Sequence, residues 1–286
     1  MTIDEYNELK ARYNTLGVTL KFDEFDYFDS NYKESVTLTK WKSKDKLCKV
    51  PEFIFRIYSD CFKGLDYLEE IDLSESNIYF LPDRLFENLK VKRVKLNNLI
   101  NIIPKYCFYN TEIEEIIIPK SVETIDAGAF KYCSNLKRVI FEDDSQLKLI
   151  KGEAFKSSGL LSITLPDSVE RLHYSIFYGC KDLKEVYLGK NLRIVNSNVF
   201  SYCDNLEKII FDIESPVKKI ASYCCVNSYN LKEVVFSNNT DSFLEYCFMG
   251  CKSLEKVVLN EENLKVINFT AFIDTPFYLK FKSPTN

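Results

Sequence analysis

Apolar residues recur along this chain at the first, fourth and sixth places of a short motif. The copies are Leu68/Ile71/Leu73, Val91/Val94/Leu96, Ile113/Ile116/Ile118, Leu136/Val139/Phe141, Leu160/Ile163/Leu165, Leu183/Val186/Leu188, Leu206/Ile209/Phe211, Leu231/Val234/Phe236 and Leu254/Val257/Leu259. Leu279 and Phe281 begin a last, partial copy. First positions lie 22 to 25 residues apart, a period that belongs to stacked repeats. In an extended segment the fourth and sixth residues share one side, while the third, fifth and seventh share the other. Each copy therefore predicts a short strand buried on one face. A lone strand cannot bury that face, but copies about 4.8 Å apart form a parallel sheet over a continuous core.

A second column follows each strand, with an aromatic five residues beyond an apolar position. Its members are Phe62, Phe86, Phe108, Phe130, Phe155, Phe177, Phe200, Phe248 and Phe272, and Cys225 stands where one further Phe is expected. A small or aliphatic residue usually precedes the Phe, and the residue three places after it is often Cys. This spacing predicts a helical turn with its inner side filled by stacked rings. At Cys225 it predicts a packing deficit unless Tyr223 or Val226 moves in.

Stretches such as IPKSVETIDAGAFKYCSNLKRVIF (118–141) and LPDSVERLHYSIFYGCKDLKEVYL (165–188) resemble the BspA-type leucine-rich repeat, and 68–89 resembles an ordinary leucine-rich repeat. The resemblance implies an α/β fold, a right-handed leucine-rich-repeat solenoid with a curved parallel sheet on its concave side. It places the solenoid at 55–286, with about ten strand-turn units including the partial last copy. Residues 1–54 depart from the period and are expected to form an N-terminal cap, with a separate binding domain as the alternative. There, Thr2 and Glu5 form a capping-box pattern, a helix is predicted over 3–16 with Gly17 as terminator, and Val18–Phe22 and Ser35–Trp41 read as strands.

Composition narrows the chemistry. The 38 Lys and Arg against 42 Asp and Glu leave a net charge of -4, which gives no general attraction to nucleic acid or an anionic membrane. The N-terminus lacks the basic end and apolar run of a signal peptide, and no segment approaches about eighteen consecutive apolar residues. With Met1 as the start, the expectation is a cytoplasmic protein, with secretion or surface association by another route as the alternative. Nine of the ten cysteines, all but Cys48, fall on the repeat columns, where a small, slightly apolar side chain fits. Pairs such as Cys180/Cys203 and Cys224/Cys247 lie within disulfide reach across adjacent copies, but free buried thiols suit the expected compartment. There is no C-x-x-C pair, and His173, the single histidine, falls on a predicted exposed turn, so no metal, no cofactor and no catalytic residue is assigned.

The second and third residues of each motif alternate in sign from copy to copy. They run Glu69-Glu70, Lys92-Arg93, Glu114-Glu115, Lys137-Arg138, Leu161-Ser162, Lys184-Glu185, Glu207-Lys208, Lys232-Glu233 and Glu255-Lys256, with Leu161-Ser162 as the interruption. Such a ladder supports register and supplies no acid/base pair. The outward fifth place is different, reading Asp72, Lys95, Ile117, Ile140, Thr164, Tyr187, Ile210, Val235, Val258 and Lys280. Its apolar middle, rimmed by Arg138, Glu185, Lys208 and Glu233, is the candidate partner-binding surface, set against a self-packing structural ladder as the alternative.

These features predict a monomeric, non-enzymatic interaction protein that holds a macromolecular partner, a protein, on its concave sheet, as an inhibitor or host-interaction factor. The resemblance implies a surface adhesin as one alternative. The other is a nucleic-acid binder using Lys40, Lys42, Lys44 and Lys46, on one side of an extended chain, with Trp41 as a stacking platform.

Overall fold

A computed structural model describes residues 3–15, 18–23, 35–260, 262 and 266–278. The chain opens with α1 (Ile3–Thr15), β1 (Val18–Asp23), β2 (Ser35–Trp41), β3 (Leu47–Lys49) and β4 (Ile54–Ile57). Thr2, Leu16, Gly17 and the partial copy at Leu279 and Phe281 lie outside the described residues. β2 pairs antiparallel with β1 and parallel with β4, and Val36, Leu38 and Trp41 join the core. Tyr13 of α1 meets the Phe53 ring edge-on at 5.2 Å.

The strand motifs form the long strands β5 (Glu70–Asp72), β6 (Arg93–Lys95), β8 (Glu115–Ile118), β10 (Arg138–Phe141), β12 (Ser162–Thr164), β14 (Glu185–Leu188), β16 (Lys208–Phe211), β18 (Glu233–Val235) and β20 (Lys256–Val258). Pairing is parallel and places equivalent motif positions side by side, Glu185 with Lys208 and Tyr187 with Ile210. β3 precedes β5 in the same sheet, with Cys48 beside Ile71, so the column extends one coil before the first recognisable motif. That is why Cys48, fully buried, also sits on a repeat position.

Each coil from the third onward adds a two-residue strand, and these form a second parallel sheet that the motif did not predict. It comprises β7 (Ile102–Ile103), β9 (Thr124–Ile125), β11 (Leu149–Ile150), β13 (Arg171–Leu172), β15 (Ile194–Val195), β17 (Lys219–Ile220), β19 (Ser242–Phe243) and β21 (Val266–Ile267). Two-residue strands are too short to show an alternation.

The Phe column is buried throughout, with successive rings from Phe62 to Phe200 at 4.9–5.7 Å between centroids. The expected helical turn is absent: the segments carrying Phe62 to Phe248 are turns. Two residues before and two after the ring the backbone is left-handed, as at Tyr106 and Asn110 around Phe108 (φ 55° and 54°). Reversing handedness twice prevents a continuous helix and turns alternate N–H groups along the stack. Tyr106, Phe108 and Asn110 donate to the carbonyls of Ala127, Ala129 and Lys131 in the next coil. At Cys225 the missing ring is replaced from the opposite wall. Phe236 reaches Phe211, Phe243 and Phe248 at 5.3, 4.9 and 5.9 Å, while Tyr223 stays exposed.

Candidate interaction face

The outward column of the long strands lies in solvent. Ile117 is 50% exposed, Ile140 40%, Tyr187 38% and Val258 41%; Thr164 is exposed and Ile210 and Val235 are half-buried. Alternation forces this arrangement, because Val186 and Leu188 point into the core and leave Tyr187 between them facing out. The Tyr187 hydroxyl donates to Glu185 at 3.0 Å, tethering the ring along its own strand.

Around the column the charge ladder closes on itself. Glu70 meets Lys95 and Arg93 at 2.9 and 3.1 Å, Glu207 meets Lys232 at 2.8 Å, and Glu233 bridges Lys256 and Lys208 at 2.7 and 3.2 Å. Arg138 pairs with Glu115. A hydrogen bond from Lys95 holds the Glu70 carboxyl below its usual range, and one from Lys256 does the same for Glu233. Most of the cations in these pairs are exposed, while Glu70 and Glu233 are partly buried, so solvent screens the pairs and they fix register more than they stabilise. At the Leu161-Ser162 interruption Lys137 finds no acid on the next strand and reaches Asp182 at 3.0 Å.

The sheet is broken at the same interruption. β3, β5 and β6 form one sheet, β8 and β10 a second and β12 to β20 a third, so pairing lapses between β6 and β8 as well; between β10 and β12 opens a cleft of about 630 Å³. Sequence reasoning assigned part of its wall, Arg138, Ile140 and Thr164, but missed Glu142, Asp143, Asp144 and Asp167 on its rim.

The basic segment differs from its expectation. Trp41 is 7% exposed and packed in the core, so its ring cannot stack on a base. Lys40, Lys42, Lys44 and Lys46 are exposed, but β2 ends at Trp41 and the chain loops to Leu47, so they do not line one side of a strand. Lys46 is taken by Glu69 at 2.5 Å. His173, expected on an exposed turn, is half-buried at the end of β13, because that turn is a strand of the second sheet.

All ten cysteines are buried and unbridged. Five of them do more than fill space, Cys247 by directing its thiol at the Leu244 carbonyl at 2.8 Å. Cys133, Cys180, Cys203 and Cys251 each direct a thiol at the carbonyl of the ring-column residue one coil back, Phe108, Phe155, Phe177 and Cys225, at 2.8–3.0 Å. Ser228 does the same to Phe200 at 2.6 Å. Burial pushes these thiols up, to about 11 for Cys133 and Cys180, which leaves no reactive thiolate near neutral pH. Among the described residues, no group of three or more His, Cys, Asp or Glu is placed to hold a metal, and no helix is long and apolar enough to cross a membrane.

Comparison with solved structures finds a leucine-rich cell surface protein from Faecalibacterium prausnitzii A2-165 (14% identity, TM-score 0.43, covering 83% of this chain and 95% of that one). The pneumococcal vaccine antigen PcpA is 18% identical with TM-score 0.43, covering 92% and 87%. The Treponema pallidum leucine-rich repeat protein is 16% identical with TM-score 0.40, covering 90% and 95%. No curated protein sequence matches. The family model for the BspA type leucine rich repeat region matches in six copies over residues 55–184 and 148–278, most of the chain. With its period, stacked Phe column and parallel sheets, the chain belongs to the BspA-type leucine-rich repeat family.

Proposed function

We propose that this protein works without catalysis, holding a protein partner on the outward face of its long-strand sheet. The repeat fold is of a kind generally used for protein interaction or adhesion. The observation that carries the proposal is the exposed apolar column from Ile117 to Val258 on a sheet whose flanking charges are already paired with one another. Apolar groups inside a neutralised polar rim resemble the centre of an interface, and a pre-folded stack loses little conformational freedom on binding. Tyr187 is the anchor: a large amphipathic ring, held by Glu185, near the middle of the column.

The test begins with capture of the partner by affinity pull-down and mass spectrometry, followed by titration. Tyr187→Ala and Ile210→Asp should each weaken binding by about 2 kcal/mol or more while the protein stays folded. His173→Ala, in the other sheet, should be nearly silent. Asp126 makes a poorer control, because it pairs with Lys151 at 2.7 Å. If both column substitutions lower the melting temperature without weakening the partner, the column serves only the sheet. A hydrogen-exchange footprint on the turns that leaves 138–142, 185–189 and 208–212 unprotected would refute the proposal.

A further inference from the structure

The break between β10 and β12 has an internal control. From the last motif residue to the buried residue of the second sheet, most coils span seven residues, as from Leu165 to Leu172, but Phe141 to Ile150 and Phe211 to Ile220 span nine. Both longer loops meet a shorter coil next in the stack. At the second loop the mismatch is sewn shut: Asn238 N–H donates to the Ile213 carbonyl, and the Asn239 amide reaches the carbonyls of Glu214 and Ser215 at 3.3 and 3.0 Å. Ser237 adds a bond to Ser215. The strands there pair normally.

At the first loop the equivalent residues are Pro166, Asp167 and Ser168. Proline lacks the hydroxyl with which Ser237 reaches across, Asp167 stands where Asn238 gives its N–H but meets a loop reading Glu142-Asp143-Asp144, and Ser168, too short to replace the Asn239 amide, holds its Oγ away from solvent with no hydrogen-bond partner. The loop stays open. Leu161 N–H still donates to the Lys137 carbonyl before β12, but β10 and β12 then part into separate sheets. Val139 and Phe141, whose equivalents Val186 and Leu188 are buried, become half-exposed in the floor of the cleft. Carboxylates stand on both rims. Glu142 accepts from Lys120 N–H, and Asp167 accepts from Lys190 N–H and faces its ammonium, whereas Asp143 and Asp144 have no side-chain partner among the described residues.

We propose that this cleft receives an extended, basic segment of a protein partner, whose Lys or Arg side chains enter between Asp143/Asp144 and Asp167 while an apolar neighbour covers Val139 and Phe141. The proposal rests on the reading of the long-strand side as the binding side and names the chemistry that part of it recognises. An apolar floor between acidic rims complements a chain alternating basic and apolar residues, and interrupted strand pairing offers strand edges to such a backbone. A bare cation fits less well, since the carboxylates are not gathered into a metal-binding group.

The experiment uses the full chain, isotopically labelled, and a fluorescent nonapeptide of alternating Lys and Val, with its Glu-Val counterpart as control. The Lys-Val peptide should bind more tightly at about 50 mM than at about 300 mM NaCl and shift amides within 138–145 and 162–168. Asp143→Asn with Asp144→Asn, both exposed, should weaken it about fivefold or more. Copying the closed loop, by Pro166→Ser, Asp167→Asn and Ser168→Asn, should close the sheet and remove binding. Equal affinity for the two peptides, indifference to Asp143 and Asp144, absence of binding, or the same shifts with calcium chloride alone would each overturn the proposal. Shifts at 185–188 and 208–211 without any at the cleft would overturn it too, yet leave the wider face standing. Failure of that wider reading shows separately, in the natural partner's indifference to Tyr187→Ala.

Discussion

A single carbonyl explains four of the ten cysteines in this chain. The Phe carbonyl already accepts an N–H from three residues later, as Phe108 does from Thr111, and its second lone pair faces the core. A donor small enough to fit beside the rings supplies a further bond from the next coil at Cys133, Cys180, Cys203, Ser228 and Cys251, while Thr111 and Thr275 bond the carbonyl of their own coil, Ser158 meets Cys180, and Leu65 and Leu89 in the first coils of the column give none. In the sequence this column looks like a place for any small residue; its use of donors emerges only from the direction of the carbonyl. The thiols predict alkaline behaviour. Burial raises nine of the ten above their ordinary 9.0. The unfolded chain can ionise where the folded one cannot, so stability is whole below pH 9 and falls as pH rises toward the folded values. At about 1.4 kcal/mol per thiol per pH unit, nine thiols withdraw about 13 kcal/mol by pH 10, as much as a domain's entire stability. Unfolding between about pH 9 and 10.5, followed by circular dichroism, is expected, and a fold unchanged at pH 11 would contradict it. Iodoacetamide near pH 7 should label no cysteine until denaturant is added, and then all ten.

At the scale of the coil, regular apolar spacing makes the long strand and the ring column legible, because both repeat a burial pattern several residues long. Left-handed turn positions are hidden. They are occupied by Arg84, Tyr106, Glu153, Ser175 and Asn198 as readily as by Gly128, Gly179 and Gly250, so no glycine signature marks them. Ser175, at φ 57°, strains its backbone in this region; Ser175→Gly should raise stability by about 0.5 kcal/mol in denaturant melts, relief of strain outweighing the freer unfolded chain. Gly128→Ala has the opposite sign, since a Cβ there would lie 2.3 Å from the Tyr106 ring. Ring columns predict larger losses: Phe200→Ala and Phe248→Ala should each remove about 3 to 5 kcal/mol. Phe236→Ala belongs with them, because Phe236 substitutes for the ring absent at Cys225. The cleft did leave traces in the sequence, in the Leu161-Ser162 gap and the two extra residues after Phe141. Reading them requires setting Pro166-Asp167-Ser168 beside Ser237-Asn238-Asn239, a comparison that strand periodicity does not prompt.

Across the whole molecule, neighbouring coils carry the stability, so weaknesses are local. Amides of 138–141 should exchange faster than those of 185–188, which are paired on both sides. Acid acts elsewhere. Burial alone would raise the Glu153 carboxyl, but hydrogen bonds from Lys131 and Lys156 outweigh it and hold the group below its ordinary 4.5. Its contribution is therefore present above pH 4.5 and is lost as pH falls through the lower folded value. Glu153→Gln should destabilise by about 1 kcal/mol at pH 7 and by much less at pH 2.

The turn ladder also has a direction. From Arg84 onward its N–H groups point toward the following coil, ending with Phe248 and Gly250 donating to Ala271 and Ile273. Peptide dipoles aligned along an axis add, as in an α-helix, but here donors face the C-terminal end, so that end of the ladder carries the partial positive charge. This column is thus polar in the sense opposite to a helix, while on the strand sides Lys137 N–H donates back to Glu114 and Glu123 N–H back to Asn101, so the sides of each coil oppose one another and the stack has no single electrical sense.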